Sequence, residues 1–147
     1  MADRALVRLG FGEVGEVRQA LRASGLPDEL GAGAAVYRLE DAAGTLGWAA
    51  LERSGEAALL RSVLIVEYRR GEGAGTDLLG RIVGAARADG VRRLWLLTET
   101  AAPFFAGLGF VRADRESAPA AIRAGAEFAR LCPASAECMT MAVDVER

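Results

Sequence analysis

Histidine is absent from this 147-residue chain, and cysteine is scarce. Without histidine, the sequence excludes Ser-His-Asp and Cys-His catalysis, histidine general bases and metal sites that contain histidine. An enzyme built on it has to use carboxylates, water, backbone dipoles or a cofactor. The two cysteines, Cys132 and Cys138, follow no recognisable signal peptide. They therefore predict reduced thiols in a cytoplasmic protein rather than a disulfide framework.

Long apolar runs and one-sided charge are missing as well. No stretch approaches the roughly 18 apolar residues that a membrane span needs, so no membrane partner is expected. The 18 basic and 20 acidic residues are interspersed, with a formal net charge of −2, and form no basic stripe for nucleic acid. Hydrophobic residues make up 52% of the chain. This content, over a length typical of one domain, predicts a single domain over residues 1–147.

The periodicity of apolar residues predicts a mixed α/β order. Short apolar or alternating runs predict strands over residues 5–9, 36–40, 46–53, 57–66, 94–97, 110–113 and 138–143. Apolar stripes at helical spacing, with Gly and Pro at their ends, predict helices over residues 13–24, 76–88, 101–107 and 119–131. The run 57–66 is apolar on both faces apart from two positions, which is typical of a central strand. With the following helix and strand it makes one βαβ unit.

The segment 70–75, Arg-Gly-Glu-Gly-Ala-Gly, joins this central strand to the next helix. Three glycines within five residues allow a tight turn whose N–H groups converge on an anion such as a diphosphate. The helix that follows adds its own free N–H groups and the positive end of its dipole. A purely structural turn remains the alternative. A Walker A loop would need a lysine, which the segment lacks, and the glycine spacing is wrong for a dinucleotide-binding fingerprint.

At this point the sequence resembles the GCN5-related N-acetyltransferases (GNAT). Arg70, Gly73 and Gly75 match the family's Gln/Arg-x-x-Gly-x-Gly/Ala coenzyme A loop. The segment 105–110, Phe-Ala-Gly-Leu-Gly-Phe, stands where members typically have Tyr-x-x-x-Gly-Phe. The resemblance covers residues 5–143 in element order. It implies an α/β fold, α+β in some schemes, with a central mixed, mostly antiparallel sheet of six to seven strands, splayed at the middle and flanked by four to five helices.

The resemblance also implies an acetyl-CoA-dependent N-acyltransferase that moves an acetyl group to the amine of a small molecule by direct attack on the thioester. It places the diphosphate on the loop amides and pantetheine along the end of the central strand. A backbone N–H near Ile65 would face the thioester oxygen and stabilise the charge that develops there. The implied coenzyme-binding residues are Leu64, Ile65, Val66, Arg70, Gly71, Glu72, Gly73, Ala74, Gly75, Thr76 and Phe105. Glu72, at a position that is often basic in the family, is expected to point to solvent.

The sequence departs from the family at the usual general acid. Phe105 replaces the tyrosine and has no proton to give, and Thr98 stands where asparagine is common. A thiol is a tolerable leaving group near neutral pH, and a positioned acid typically adds about 10²–10⁴-fold in rate, so the chemistry remains possible without one. Water, Thr98, Ser135 or Cys132 are alternatives. The alternatives to a catalytic role are that Phe104 and Phe105 belong to the core and that Thr98 only ends a strand.

Glu99 is the candidate general base, because it follows a buried strand at the edge where ligands bind in α/β sheets. Glu127 and Glu137 are weaker candidates, since surface carboxylates are usually solvated. Arg61 and Ser62 interrupt the central strand and are candidates for binding the acceptor. A buried guanidinium needs an anion, which is either a structural carboxylate or the acid group of the acceptor.

Two stretches of the C-terminal part, residues 104–110 and 127–136, resemble the GNAT branch associated with arsenic-resistance operons. Cys132, a candidate substrate-binding residue, lies six residues before Cys138, and a thiolate pair can capture arsenite. Small buried thiols are the alternative, and without a Cys-x-x-Cys pair no metal site is predicted. Two classes of function remain: an active N-acyltransferase, with a role in arsenic resistance, or a catalytically weak coenzyme-A-binding or metalloid-sensing module. A homodimer is left open.

Overall fold

The computed structural model describes residues 3–26, 28, 30, 33–125, 128–129 and 134–143. The strands are β1 (Ala5–Arg8), β2 (Ala35–Asp41), β3 (Gly44–Ser54), β4 (Ala57–Ile65), β5 (Arg93–Thr98), β6 (Val111–Arg112) and β7 (Glu137–Ala142). The α-helices are α1 (Val14–Ala23), α2 (Ala74–Ala88), α3 (Ala102–Gly107) and α4 (Ala120–Arg123). Short 3-10 turns occupy Phe11–Glu13, Glu67–Arg69 and Arg115–Ser117. None of these helices, within the described ranges, is long and apolar enough to cross a membrane.

The strands form one mixed sheet in the order β1-β2-β3-β4-β5-β7-β6. Antiparallel pairing joins β1 to β2, β2 to β3, β5 to β7 and β6 to β7, whereas β4 and β5 are parallel. The parallel pairing runs from Ala57↔Arg93 to Leu59↔Trp95, and α2 is the crossover between the two strands. A mixed, mostly antiparallel seven-stranded sheet with flanking helices confirms the predicted fold class, and β4 is central as expected.

The chain divides into two compact units. The first comprises Met1–Glu52 and Arg61–Ala85, and the second comprises Arg53–Leu60 and Ala86–Arg147. In the first unit, α1 buries Val17 and Leu21 completely. These two side chains pack in a cluster with the sheet residues Val36, Trp48, Ala50 and Leu64, because they recur on one face of the helix as the spacing predicts.

The core of the second unit is formed by β4, β5, β7 and the segments that precede β7. Leu59, Trp95 and Leu97 pack with Ile122 and Cys138 in one buried cluster. A buried polar contact also joins two strands there, since the hydroxyl of Thr140 donates to the Leu94 carbonyl at 2.8 Å. This bond satisfies a polar side chain that would otherwise be costly to bury.

Two helix boundaries differ from the sequence prediction. Helix α2 begins at Ala74, so two residues assigned to the glycine loop form its first turn. Helix α4 ends at Arg123 and does not continue as one α-helix through residue 131. Gly125 explains the early end, because glycine in a helix interior costs about 1 kcal/mol relative to alanine. Part of the predicted extension, residues 126–127 and 130–131, lies outside the described residues.

Candidate functional site

The glycine loop between β4 and α2 owes its shape to two left-handed residues. Gly71 has φ +84° and Gly73 has φ +76°, a backbone region that residues with a Cβ rarely adopt. A Cβ built on either glycine meets nothing within 4 Å. Glycine is therefore required for the backbone conformation and not for space. Both residues are exposed, so the loop is open to a ligand.

The start of α2 supplies the hydrogen-bond donors of the loop. Its first helical bond runs from the Asp77 N–H to the Gly73 carbonyl, at 3.1 Å. The N–H groups of Ala74, Gly75 and Thr76 precede this bond and, as at any helix start, have no carbonyl one turn earlier. Together with the positive end of a 15-residue helix dipole they favour an anion. The arrangement suits a phosphate or diphosphate group.

Two arginine side chains connect the loop to other segments of the first unit. Arg4, just before β1, donates to the Glu72 carbonyl at 2.9 Å and to the Asp77 carboxylate at 3.2 Å. Arg69 pairs with Asp41, the last residue of β2, at 2.6 Å. The hydrogen bond from Arg69 holds the pKa of Asp41 below its usual value. For Asp77, burial acts to raise the pKa, but hydrogen bonds from Arg81 and Arg4 outweigh it, and the pKa is lowered.

The side chain of Glu72 is exposed, as the sequence predicted. Its carboxylate also lies 3.2 Å from Arg69, three residues earlier. Arg69 lies on the 3-10 turn that leads into the loop. Sequence reasoning missed Arg4 and Asp41. An arginine before a strand and an aspartate at a hairpin turn carry no local signal for a partner in a distant loop.

The end of β4, which was predicted to face pantetheine, has an irregular backbone. Ser62 adopts φ +60°, the one non-glycine residue with positive φ among those described. Further along, Gly47 of β3 approaches β4 so closely that a Cβ there would lie 2.4 Å from the Leu64 carbonyl oxygen. Val66, after the strand, donates its N–H to the Leu46 carbonyl at 2.8 Å. Leu64 is buried, while Ile65 and Val66 are half-buried.

Arg61 is buried, and its Nη1 lies 3.1 Å from Oε2 of Glu52 on β3. Of the two alternatives for this guanidinium, a structural carboxylate and the acid group of an acceptor, the structure provides the first. Ser62, next to it, is half-buried. The sequence could not separate the alternatives because Glu52 is in another strand.

In the second unit, Thr98 ends β5 and its Oγ1 accepts the N–H of Ala101 at 3.0 Å. Glu99 follows and is exposed. Phe105 on α3 is buried and packs edge-on against Phe104 and Phe110, with ring centroids 5.2 and 5.6 Å away. The prediction that Phe104 belongs to the core is wrong, because 38% of its surface is exposed. Both phenylalanines lie on a short helix, and only one of its faces packs inwards.

The remaining candidates lie near β7. Cys138 is buried in the core of the second unit, and this burial raises the pKa of its thiol. Glu137 forms an ion pair with Arg112, and Ser135 is exposed. Cys132 and Glu127 lie outside the described residues. The environment of Cys138 matches the alternative of a small buried thiol.

The chain matches no protein-family model, and no curated protein matches it either. Solved structures do match. N-acetylglutamate synthase from Neisseria gonorrhoeae, complexed with coenzyme A and N-acetyl-glutamate, superposes with a TM-score of 0.78 at 18% identity. That match covers 100% of this chain but only 36% of the synthase, so the chain spans about a third of its length.

Other matches cover nearly the whole of both chains. The ribosomal-protein-S18-alanine N-acetyltransferase from Escherichia coli has a TM-score of 0.68 at 16% identity, over 99% of this chain and 97% of its own. Tetrahymena GCN5 has a TM-score of 0.73 at 11% identity, over 96% of each chain. Identities this low establish the fold alone. The protein therefore has the GNAT fold, and its glycine loop follows the central strand of that fold.

Proposed function

We propose that the protein is an acetyl-CoA-dependent N-acyltransferase, with residues 1–147 forming one N-acetyltransferase domain that acts in the cytoplasm. The observation that carries the proposal is the exposed loop in which Gly71 and Gly73 are left-handed and which leads directly into the first turn of α2. Solved proteins of the same fold support it, since the Neisseria synthase is complexed with coenzyme A. The exposed loop fits a diphosphate because its donors are backbone groups that need no rearrangement to bind.

The residues of the first unit have defined roles in this proposal. The amides of residues 71–76 hold the diphosphate, and the end of β4 guides pantetheine. Acetyl-CoA supplies the thioester, whose carbonyl carbon the acceptor amine attacks while the carbon–sulfur bond breaks. The N–H of Ile65 stabilises the negative charge on the carbonyl oxygen. Water takes the proton of the amine, and the thiolate leaves with a proton from water.

The acceptor is a small-molecule amine, and an amino-acid-like one is the first choice. The Neisseria synthase has N-acetyl-glutamate bound with coenzyme A on the same fold. A role in arsenic resistance is supported by the resemblance of residues 104–110 and 127–136 to that GNAT branch and by Cys132. It is tested by including an arsenic-containing amine among the acceptors. Because Arg61 is paired with Glu52, a carboxylate-bearing acceptor would have to compete with that pair for the guanidinium.

The test compares Gly73→Ala with Gly80→Ala. A Cβ at Gly73 is strained at φ +76° and stands where the diphosphate binds, whereas Gly80 lies on α2 with nothing within 4 Å of an added Cβ. Wild type and Gly80→Ala should bind coenzyme A equally in calorimetry and release thiol from acetyl-CoA with a panel of amines. Gly73→Ala should bind at least about tenfold more weakly, since left-handed backbone costs roughly 1–2 kcal/mol for an alanine. A wild-type protein that neither binds coenzyme A nor is stabilised by it would overturn the proposal.

A catalytically weak coenzyme-A-binding or metalloid-sensing module is the second candidate. It is favoured by Phe105 at the position of the usual acid, because a phenyl ring has no proton to give. Binding of coenzyme A without turnover of any amine would establish this candidate in place of the enzyme.

A further inference from the structure

We propose that Arg4 and Arg69 are positioning residues that aim the loop amides at the coenzyme diphosphate. The inference rests on the proposed function and adds two residues that the coenzyme loop motif does not contain. Neither guanidinium is required to touch the coenzyme. Their effect is exerted through the backbone of the loop.

Arg4 fixes one particular peptide plane. Its Nη2 donates to the Glu72 carbonyl oxygen at 2.9 Å. In a trans peptide, the carbonyl of one residue and the N–H of the next point in opposite directions. Because the Glu72 oxygen is held by Arg4, the Gly73 N–H points away from Arg4. If this peptide flipped, a carbonyl oxygen would face the diphosphate and repel it.

The flip is a real alternative for this segment because Gly71 and Gly73 flank Glu72. Glycine occupies left-handed and right-handed regions with similar ease, so the local sequence does not select one orientation of the peptide. Arg4 also donates to the Asp77 carboxylate at 3.2 Å. The Arg4 guanidinium therefore bonds to a residue on each side of Gly73, namely Glu72 before it and Asp77 in the first turn of α2. These two bonds hold the ends of this short segment in place.

Arg69 holds the entrance of the loop. Two of its nitrogens face the two carboxylate oxygens of Asp41, at 2.6 and 3.3 Å, which is the bidentate geometry of a strong charge-assisted pair. Asp41 is itself fixed, because its Oδ1 accepts the N–H of Ala43 at 2.9 Å within the β2–β3 turn. The side chains of Arg69 and Asp41 are only 11% and 3% exposed. The pair therefore anchors the loop to a rigid hairpin.

The charges around these arginines are balanced by carboxylates. Arg69 faces Asp41 and Glu72, and Asp77 receives both Arg4 and Arg81, the latter at 2.8 Å. Guanidinium groups paired in this way contribute little net charge to an incoming diphosphate. Their contribution is to preorganise the amide donors, which lowers the cost of ordering them on binding.

The decisive variant is Arg4→Met, which keeps an apolar stem and removes the guanidinium. Arg81→Met is the matched control, because it removes the other partner of Asp77 and leaves the Glu72 carbonyl bond intact. Calorimetry with coenzyme A should show about tenfold weaker binding for Arg4→Met, the effect of losing one hydrogen bond to a charged donor, and less than about twofold for Arg81→Met. The KM for acetyl-CoA should rise in parallel, whereas kcat at saturating acetyl-CoA should stay within about twofold. Amide exchange at Asp77, whose N–H bonds to the Gly73 carbonyl, should accelerate in Arg4→Met.

Arg4→Lys keeps a cation that can reach the carbonyl, so it should recover most of the affinity. If Arg4→Met does not fold, Asp41→Asn carries the test, with an expected loss of a few-fold. Coenzyme binding that is as tight in Arg4→Met or, failing that, in Asp41→Asn as in wild type would overturn the positioning role and leave the proposed function intact. A wild-type protein without coenzyme affinity would instead overturn the proposed function itself.

Discussion

At the scale of single residues, the charge of Glu72 is the feature that most distinguishes this loop from the motif it resembles. The carboxylate lies at a position that is often basic in the family, and it is paired with Arg69 across one turn. Such an exposed pair is worth little in stability, so the carboxylate has no large structural role. Its negative charge stands close to the amides that are proposed to receive a diphosphate.

We therefore predict that Glu72→Gln binds coenzyme A more tightly than wild type. Removing one negative charge near the diphosphate should raise the affinity by about two- to fivefold at low ionic strength, and the gain should shrink in high salt because exposed charges are screened. Calorimetry at two salt concentrations measures it. Glu116→Gln, an exposed carboxylate of the second unit, serves as the control. An unchanged or weaker affinity for Glu72→Gln would show that the carboxylate contributes to the loop geometry instead.

Ser62 is a second informative residue, because it adopts a left-handed backbone without being glycine. Such conformations cost about 1–3 kcal/mol and persist where the surroundings impose them. It lies next to the buried Arg61–Glu52 pair and a few residues before the proposed contact at Ile65. The sequence indicated a polar interruption of the strand here. It gave no sign of the irregular backbone, because serine adopts extended conformations readily.

At the scale of elements, the contact between β3 and β4 is set by the absence of one Cβ. Gly47 allows the Leu64 carbonyl to approach, and the β2–β3 register shifts nearby, between Leu39 and Glu40. The end of β4 can take its position only because β3 carries no side chain there.

Gly47→Ala should consequently destabilise the protein by about 1–3 kcal/mol, since the new Cβ would lie 2.4 Å from a backbone oxygen that cannot rotate away. Gly15→Ala on α1 makes a matched comparison, because an added Cβ there meets nothing within 4 Å. It should stabilise by roughly 0.5–1 kcal/mol through helix propensity. Denaturant unfolding of both variants provides the measurement. Equal stability of the two would mean that the strands do not approach in this way.

Sequence patterns predicted the helices and strands correctly where the signal was local. They failed where packing with other segments decided the outcome. The βαβ unit and the hairpin at residues 41–44 were predicted from periodicity and turn residues, and both are present. The final helix was predicted as one piece to residue 131, but α4 ends at Arg123. An apolar stripe indicates that a segment is helical, whereas the position at which it stops depends on a glycine and on what the next residues pack against.

At the scale of the whole molecule, the response to acid follows from carboxylates held by arginines. The hydrogen bond from Arg69 lowers the pKa of Asp41 below its usual 3.8. Burial acts to raise the pKa of Asp77, but hydrogen bonds from Arg81 and Arg4 outweigh burial and lower this pKa as well. When folding lowers the pKa of a carboxyl group, the charged group stabilises the folded protein. This stabilisation is fully present at a pH above the pKa of the unfolded chain, and it is lost as the pH falls through the pKa of the folded protein.

The free energy of unfolding should therefore be flat from neutral pH down to about pH 4 and should fall below it, as these carboxylates are protonated. Urea unfolding between pH 7 and pH 2 measures the profile. In Asp41→Asn the fall should be shallower and stability at neutral pH lower, whereas Asp89→Asn, at an exposed position, should reproduce the wild-type profile. An Asp41→Asn profile parallel to that of wild type would exclude the Arg69 pair as a source of acid sensitivity.

The sequence by itself determined the order of strands and helices, the central strand and the glycine loop, because periodicity and glycine content are properties of neighbouring residues. Only the tertiary structure decided which side chains hold that loop. Arg4 reaches a carbonyl 68 residues away and a carboxylate 73 residues away, and Arg69 reaches back 28 residues. These groups lie on segments that are distant in sequence and meet only in the folded chain. No local pattern can therefore encode their contacts.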